Sequence, residues 1–568
     1  MTSRPPALVP RAARSRRAPR LRVAVVLAAS VVLGACTADP SPTESQSPPV
    51  ETTSPTQSPT PTPTPVPPAL GAFGVSTGHP LASRAGMAML EKGGTAIDAA
   101  VAAAFADAVM QPASSGIGGG GATIVVEDGV ASHLDYREVV NVSGEIPPGG
   151  AGVPGFVRGM AELHAEFGEL EWDVLLEPAI EIAEQGGPVS AYLAHTIGTE
   201  LGQAVTKDLP HFQRPDGAPL QEGDVLVQAD LAATMRVLAD EGPGALYEGS
   251  LVPALTTVRG IDAATLAAYQ TQRSEPPRGQ VGEYTVLSGA PALPGAAIIQ
   301  MIQIAEAAGI ADLDPSSADF VEVQSRAWRV ADESVQTWFG DPDFVDVPVA
   351  ELTDAGANAA IAARLDEVSL ASAEKSYDGA AYTTHISVVD ADGTAVSMTN
   401  TITNYWGSGV YVGGFFMNDQ LERFGDIGAT DNNDPEPGRR SVTWSSPSMV
   451  LDSQDRPVLV IGTPGGRQIP NTTAQVVTLW ALHGLSLEES VTAERFMFTD
   501  GQMRLETDRL ADELQERGYR TRVTFPEFRA NYGSVQALEV DWEARTVHGV
   551  ADSRRSAGFE VGVPPAGD

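Results

Sequence analysis

Deep in the chain, the run Thr383-Thr384-His385-Ile386-Ser387-Val388-Val389-Asp390-Ala391-Asp392-Gly393-Thr394 sets a threonine at the opening of a β-prone segment. Its hydroxyl can become a nucleophile, here only as the first residue of a new chain. Two β-prone runs, 383–390 and 394–401, flank Ala391-Asp392-Gly393, a three-residue hairpin loop in which Gly393 supplies the left-handed position. That loop pairs Asp390 with Thr394 and so sets Thr383 opposite Thr401. Alternation then puts His385 against Thr399 and Ser387 against Ser397 on the same small, polar face, with Val389 and Ala395 near the turn. Ile386, Val388, Val396 and Met398 make the opposite face, expected to pack into the core. A two-residue loop would set Thr383 opposite Ile402 and break up the polar cluster. Taken alone, the segment also reads as an ordinary hairpin in a half-buried sheet.

The elements around it come from periodicity. Thr95 to Met110 is alanine-rich with helical spacing, opened by a Thr95-x-x-Asp98 capping pattern, and its alanine face suggests close packing against a sheet. Gly116-x-Gly118-x-x-Gly121 matches a dinucleotide fingerprint literally. It follows a helix and precedes a strand (Ala122 to Glu127), the wrong order for nucleotide binding. Helices are expected around 155–167, 174–185, 229–240, 296–308 and 472–483, and strands near 447–452, 457–462, 535–541 and 546–551. Periodicity alone gives an α/β chain. The eight histidines are scattered, with no His-Glu-x-x-His and no paired spacing, so no metal or other cofactor is expected. His385 reads as a hydrogen-bonded structural histidine.

The run TTHISVVDADGTAVSMTNT resembles the start of the small subunit of γ-glutamyltransferases, the glutathione hydrolases of the N-terminal nucleophile superfamily. Upstream, GGTAIDAAVAAAFADAVMQPASSGIGGGGATIVV, Asp135-Tyr136-Arg137-Glu138 and Val153-Pro154-Gly155 are similar to large-subunit signatures. Asn418-Asp419-Gln420, Ser445-Ser446-Pro447, Thr463-Pro464-Gly465-Gly466 and Asp552-Ser553-Arg554-Arg555 follow in the family's order. The resemblance implies a four-layer αββα sandwich and self-cleavage between Tyr382 and Thr383. The products would be a large-subunit segment (70–382) and a small-subunit segment (383–568), intertwined as one catalytic domain. It further implies that Thr383 is the nucleophile, with Thr384 as competing candidate, and that Thr401 tunes its hydroxyl. Gly465 and Gly466 would form the oxyanion hole and Arg137 would bind a substrate carboxylate.

Part of the implied substrate clamp departs from the family pattern. The acid that holds the substrate's α-ammonium, three residues after Gln420, is here Arg423, and Glu422 could replace it only if the register slipped by one. Thr403 stands where asparagine is usual, beside Asn404, and Thr443-Trp444 replace a pair of serines. An arginine repels an ammonium and suits a second carboxylate or an acyl group without an amine. The leading expectation is a γ-glutamyl amide hydrolase and transferase, passing its acyl group to water or to an amino acid or peptide acceptor. Alternatives are a glutaryl-type acylase related to cephalosporin acylases, and an uncleaved surface binding lipoprotein.

The N-terminus reads as an export leader (1–35): arginines from Arg4 to Arg22, an apolar run from Val23 to Leu33, then Gly34-Ala35-Cys36. Leu33-Gly34-Ala35-Cys36 resembles a bacterial lipobox, which implies a lipidated Cys36 and a membrane-anchored protein. Cys36 is the only cysteine, leaving no thiol for disulfides or thiol catalysis. Residues 39–68 are nearly all Pro, Ser, Thr and Gln, and they are expected to form a semi-rigid spacer with an upper reach of about 90 Å at roughly 3.1 Å per residue. The formal charge is −37, and removing a leader with seven arginines and no acid leaves about −44. Such a surface argues against nucleic acid as a partner.

Overall fold

A computed structural model of the chain describes residues 69–370, 381–524, 529–530 and 532–563, with the backbone alone at 381–382. The leader, Cys36 and the 39–68 spacer lie outside these residues. Among the described residues no helix is long and apolar enough to cross a membrane.

Two antiparallel sheets lie face to face. One has seven strands, in the order Gly558–Gly562, Phe73–Thr77, Ala381–Val389, Ala395–Asn404, Gly120–Glu127, Val130–Asp135 and Gln272–Ser274. The other has six, in the order Thr546–Ala551, Gln536–Asp541, Pro457–Gly462, Ser448–Leu451, Tyr284–Ser288 and Arg278–Val281. Both sheets contain strands from before and from after Tyr382, so the two expected segments share both sheets.

Between the sheets, Ile124, Val126, Val389 and Ala395 meet Leu287, Met449, Val460 and Leu538 in one apolar cluster. Ile386, Val388, Val396 and Met398 face outward from the seven-stranded sheet, into a second core shared with Pro80–Glu91, Ala96–Met110 and Trp172–Gln185. On the far side, Gly295–Ala307, Ala318–Trp338 and Gln468–His483 cover the six-stranded sheet, packing on Val286, Val450, Leu459 and Ile461. Helix, sheet, sheet, helix is the layer order, the αββα sandwich.

The alanine-rich helix shows why its composition is needed. Every residue of Ala96–Met110 is buried, with sheet on one side and helices on the others, so the alanines serve more than the sheet contact expected of them. A Cβ at Gly86 on the neighbouring helix would lie 2.9 Å from the Ala99 carbonyl oxygen, a contact only glycine tolerates. The Thr95–Asp98 capping box is formed as the sequence predicts. The helix expected from 472 begins at Gln468, because Pro470 falls in its first turn, where a missing N–H costs nothing.

Candidate active site

The site begins with a turn. Asp390 N–H donates to Thr394 O at 3.0 Å, and Gly393 sits at φ +94° in the three-residue loop. Asp390 Oδ1 accepts the N–H groups of Asp392, Gly393 and Thr394 at 3.0–3.1 Å, while its Oδ2 accepts that of Ala96 at 3.0 Å. One carboxylate therefore closes the hairpin and ties it to the N-terminus of the alanine-rich helix. With the turn fixed, the ladder runs Ala395 to Val389, Ser397 to Ser387, Thr399 to His385 and Thr401 to Thr383.

After Thr401 the pairing slips. A bulge lies between Thr401 and Thr403, Ile402 N–H turns to Ser114 O at 3.0 Å, and Thr401 Oγ1 accepts Thr403 N–H at 2.8 Å. Thr403 takes φ +84°, rare for a β-branched residue. The run Gly118–Gly121 lies flat against this strand, where a Cβ at Gly119 would come within 2.2 Å of Thr401 O. Close backbone approach, with no phosphate cradle, is what those glycines serve.

A cavity opens at this bulge, lined by Thr383, Thr401, Thr403, Arg423, Thr443, Trp444, Ser445 and Gly466. Its free volume of about 10 Å³ is close to one water. Thr384 points to the opposite strand face, with its hydroxyl 3.4 Å from Asn400 O, and takes no part in the lining. The backbone of Ala381 and Tyr382 pairs with Asn404 and Thr403, so the residues ahead of the expected cleavage point cover the same stretch that the resemblance assigns to substrate.

Across the cavity, the strand Pro457–Gly462 leads into Thr463-Pro464-Gly465-Gly466 and the helix Gln468–His483. Gly465 and Gly466 take φ +132° and +59°, a turn that favours glycine. Among the described residues neither N–H is taken by a protein acceptor, as an oxyanion hole requires. His385 holds this loop at its distance from the nucleophile strand. Its ring packs on Gly462, where a Cβ would clash at 2.3 Å, and its nitrogens meet Thr399 Oγ1 at 2.8 Å and Ser387 Oγ at 3.2 Å. Burial pushes its pKa down to about 3, so the ring is neutral at physiological pH. The polar hairpin face is thus no solvent face; it is buried against the second sheet, with Ser387 on Gln536 O and Ser397 on Ile461 O.

The expected substrate residues divide in two. Thr403, Arg423, Thr443 and Trp444 line the cavity. Arg423 is buried, bonded to Asp426 at 3.1 Å and to Asn404 Oδ1 at 2.9 Å. Gln420 stands behind them, accepting from Thr403 Oγ1 and donating to Ser441 Oγ at 2.9 Å. Arg137, expected to meet a substrate carboxylate, is occupied by one of the protein's own: its fork grips Asp135 at 2.6–3.1 Å and its remaining nitrogen donates to Ser441 O at 2.7 Å. Fully buried, it lies outside the cavity lining and braces the wall through Ser441.

Three neighbours were not singled out from the sequence. Ser445 lines the cavity, although it lies in a quoted signature. Asp419 accepts both the N–H and the side-chain amide of Asn404, at 2.9 and 2.6 Å, and so orients the amide that holds Arg423. Burial pushes its pKa up to about 7. Glu138 is fully buried, neither of its carboxylate oxygens has a hydrogen-bond partner among the described residues, and burial raises its pKa to about 8. Its place beside Arg137 was legible, but its isolation is a tertiary fact.

The family model described as Gamma-glutamyltranspeptidase matches residues 82–561. The chain is 32% identical over 491 residues to the capsule biosynthesis protein CapD proenzyme of Bacillus anthracis, covering 86% of this chain and 90% of that one. It is 34% identical over 510 residues to a glutathione hydrolase proenzyme of Pseudomonas aeruginosa, covering 80% and 89%. The crystal structure of a cephalosporin acylase from Bacillus halodurans superposes with a TM-score of 0.76 at 25% identity, over 89% of this chain and 98% of that one. A match of this length, around Thr383, Thr401 and Gly466 meeting at one cavity, means that the chain belongs to the gamma-glutamyltranspeptidase family.

Proposed function

We propose that the protein is a self-cleaving threonine hydrolase and acyltransferase that acts on γ-glutamyl amides. Thr383 Oγ attacks the Tyr382 carbonyl carbon, the C–N bond breaks as the ester forms and leaves the Thr383 α-amino group free, and water hydrolyses the ester to a Tyr382 carboxylate and the Thr383 hydroxyl. That amine, with an ordinary pKa near 7.7 to 8.0, can take the proton of its own hydroxyl. The hydroxyl then attacks the substrate amide, Gly465 and Gly466 stabilise the oxyanion, and the amine leaves with a proton. Water or an amino acceptor attacks the Thr383 ester, and Thr383 regains its hydroxyl proton. The observation that carries this reading is the placing of Thr383, Thr401 and Gly466 around one cavity, in a register that the Asp390 turn fixes.

The denatured mass of protein expressed from residue 37 tests it. Two fragments divided before Thr383, replaced by a single chain in Thr383→Ala, are expected. An intact chain in the folded parent would leave a non-catalytic binding protein as the reading.

Arg423 in the cavity wall favours a second reading, a glutaryl-type acylase, and the superposition on a cephalosporin acylase supports it. Comparing turnover of a γ-glutamyl anilide with that of its glutaryl analogue separates the two. A clear preference for the glutaryl compound would sink the first.

The leader and lipobox support anchoring through a lipidated Cys36 at the extracytoplasmic face of a bacterial membrane. Cys36→Ser is expected to move the protein from the membrane fraction to the soluble exported fraction; retention on the membrane would refute lipid anchoring.

A further inference from the structure

Two acids lie in the buried helix Ala96–Met110. Asp98 caps its start, whereas Asp107 sits near its end, fully buried and with no cation among its neighbours. An ionisable group in such an apolar layer costs stability that an alanine or leucine would not. Asp107 Oδ1 accepts Gln111 Nε2–H at 2.8 Å. Gly78 closes over this pair, since a Cβ there would lie 2.2 Å from Gln111 Nε2 and 3.5 Å from Asp107 Oδ2. The other polar neighbour of the carboxyl is the Thr384 hydroxyl, and Oδ2 has no hydrogen bond closed on it among the described residues.

Thr384 follows the nucleophile and pairs in the ladder with Asn400, the residue before Thr401. Its hydroxyl lies 3.4 Å from Asn400 O, a carbonyl that can only accept, so the hydroxyl is the donor there. A hydroxyl has one proton to give. With that proton committed to Asn400 O, Thr384 Oγ1 offers Asp107 only lone pairs, and the carboxyl has to be the protonated partner. The chain then runs from Asp107 Oδ2–H to Thr384 Oγ1–H to Asn400 O, from the helix through the strand of Thr383 to the strand of Thr401. An ionised Asp107 instead accepts the hydrogen bond of the Thr384 hydroxyl, and Asn400 O loses it.

We infer that Asp107 is a positioning residue for the threonine pair: protonated, it ties the strand of Thr383 to that of Thr401 through Thr384, and ionised, it releases that tie, so self-cleavage slows as pH rises. The inference rests on the self-cleavage reading above. The groups that face the carboxyl leave its titration to itself. Gln111 on its own helix, Thr384 and Asn400 on the sheet, and Gln228, which donates to Val109 O at 2.7 Å, are all uncharged. The buried residues of Pro80–Glu91, Phe156–Phe167 and Trp172–Gln185 are uncharged, and the strand Phe73–Thr77 has no residue that titrates. His79, beside Gly78, is neutral because burial lowers its pKa to about 4, and His385 faces the other side of the sheet. Burial accordingly raises Asp107 to about 7, against the opposing pull of Gln111 and Thr384.

The full chain, synthesised cell-free and moved at once into buffers between pH 6 and pH 8, tests this through the rate at which two fragments divided before Thr383 appear. The parent rate is expected to fall about fivefold across that range, the worth of one modest hydrogen bond. In Asp107→Asn the amide N–H keeps a donor towards Thr384 while the oxygen still accepts from Gln111, so this variant should hold the parent's pH 6 rate at pH 8. Asp107→Leu should cleave slowly at both pH values. So should Thr384→Val, which keeps the shape of threonine without its hydroxyl and tests the same link if the leucine variant fails to fold. A parent rate that does not change with pH, a fall that persists in Asp107→Asn, or full-rate cleavage in Thr384→Val would each overturn the inference and leave the self-cleavage reading standing. A parent that stays intact at every pH removes that reading, and this inference with it.

Discussion

Arg423 is the residue on which substrate choice turns. Its guanidinium lines the cavity with Thr383, and Asn404, itself held by Asp419, fixes one of its nitrogens. A buried like charge repels an α-ammonium and attracts a carboxylate. Arg423→Asp should therefore shift the ratio of γ-glutamyl to glutaryl anilide kcat/KM at least tenfold towards the γ-glutamyl compound, with self-cleavage retained. Steady-state kinetics on the two anilides read this directly, and an unmoved ratio would remove Arg423 from recognition. The importance of position 423 was legible because the motif around it fixes the offset from Gln420. The partners of Arg137 were not legible, for the opposite reason. A guanidinium fork looks the same in sequence whether its partner is a ligand or Asp135 two residues away, and only burial distinguishes them.

At the scale of elements, the hairpin was readable to the residue, since loop length and strand alternation determine which residues face each other. The bulge at Ile402 was not, because it depends on Ser114, which is remote in sequence and meets the strand only after folding. The turn that sets the register rests on one side chain. Asp390 accepts four backbone N–H groups, and each buried donor left unpaired costs roughly 1–3 kcal/mol. Asp390→Ala should lose about 3 kcal/mol or more and slow self-cleavage, since Thr383 would no longer be held against Thr401. Asp390→Asn keeps part of the acceptor set and should fall between. Urea midpoints and the rate of fragment appearance measure both effects, and full-rate cleavage in the alanine variant would show that register does not depend on this turn.

Over the whole molecule, stability is coupled to buried acids that the fold keeps from water. Burial raises Asp107 and Asp419 to about 7 and Glu138 to about 8, against roughly 4 for such groups in an unfolded chain. A raised carboxyl pKa means that the folded state binds more protons than the unfolded one, so stability is greatest below the unfolded pKa and is lost as pH rises through the folded value. His79, His133 and His385 are lowered by burial to about 4, 4 and 3, and their contribution is complete above pH 6.5. Between pH 7 and 9 the carboxyl groups therefore govern the slope. Glu138 alone should account for about 1 kcal/mol of loss across that window. Glu138→Gln, which imitates the protonated form, should remove that share. The Thr383→Ala background suits the measurement because the chain stays in one covalent piece. Its urea midpoint should fall from pH 7 to pH 9, and the fall should shrink when Glu138→Gln is added. An equal fall in both proteins would mean that Glu138 is already ionised in the folded state, with a partner that forms only in solution.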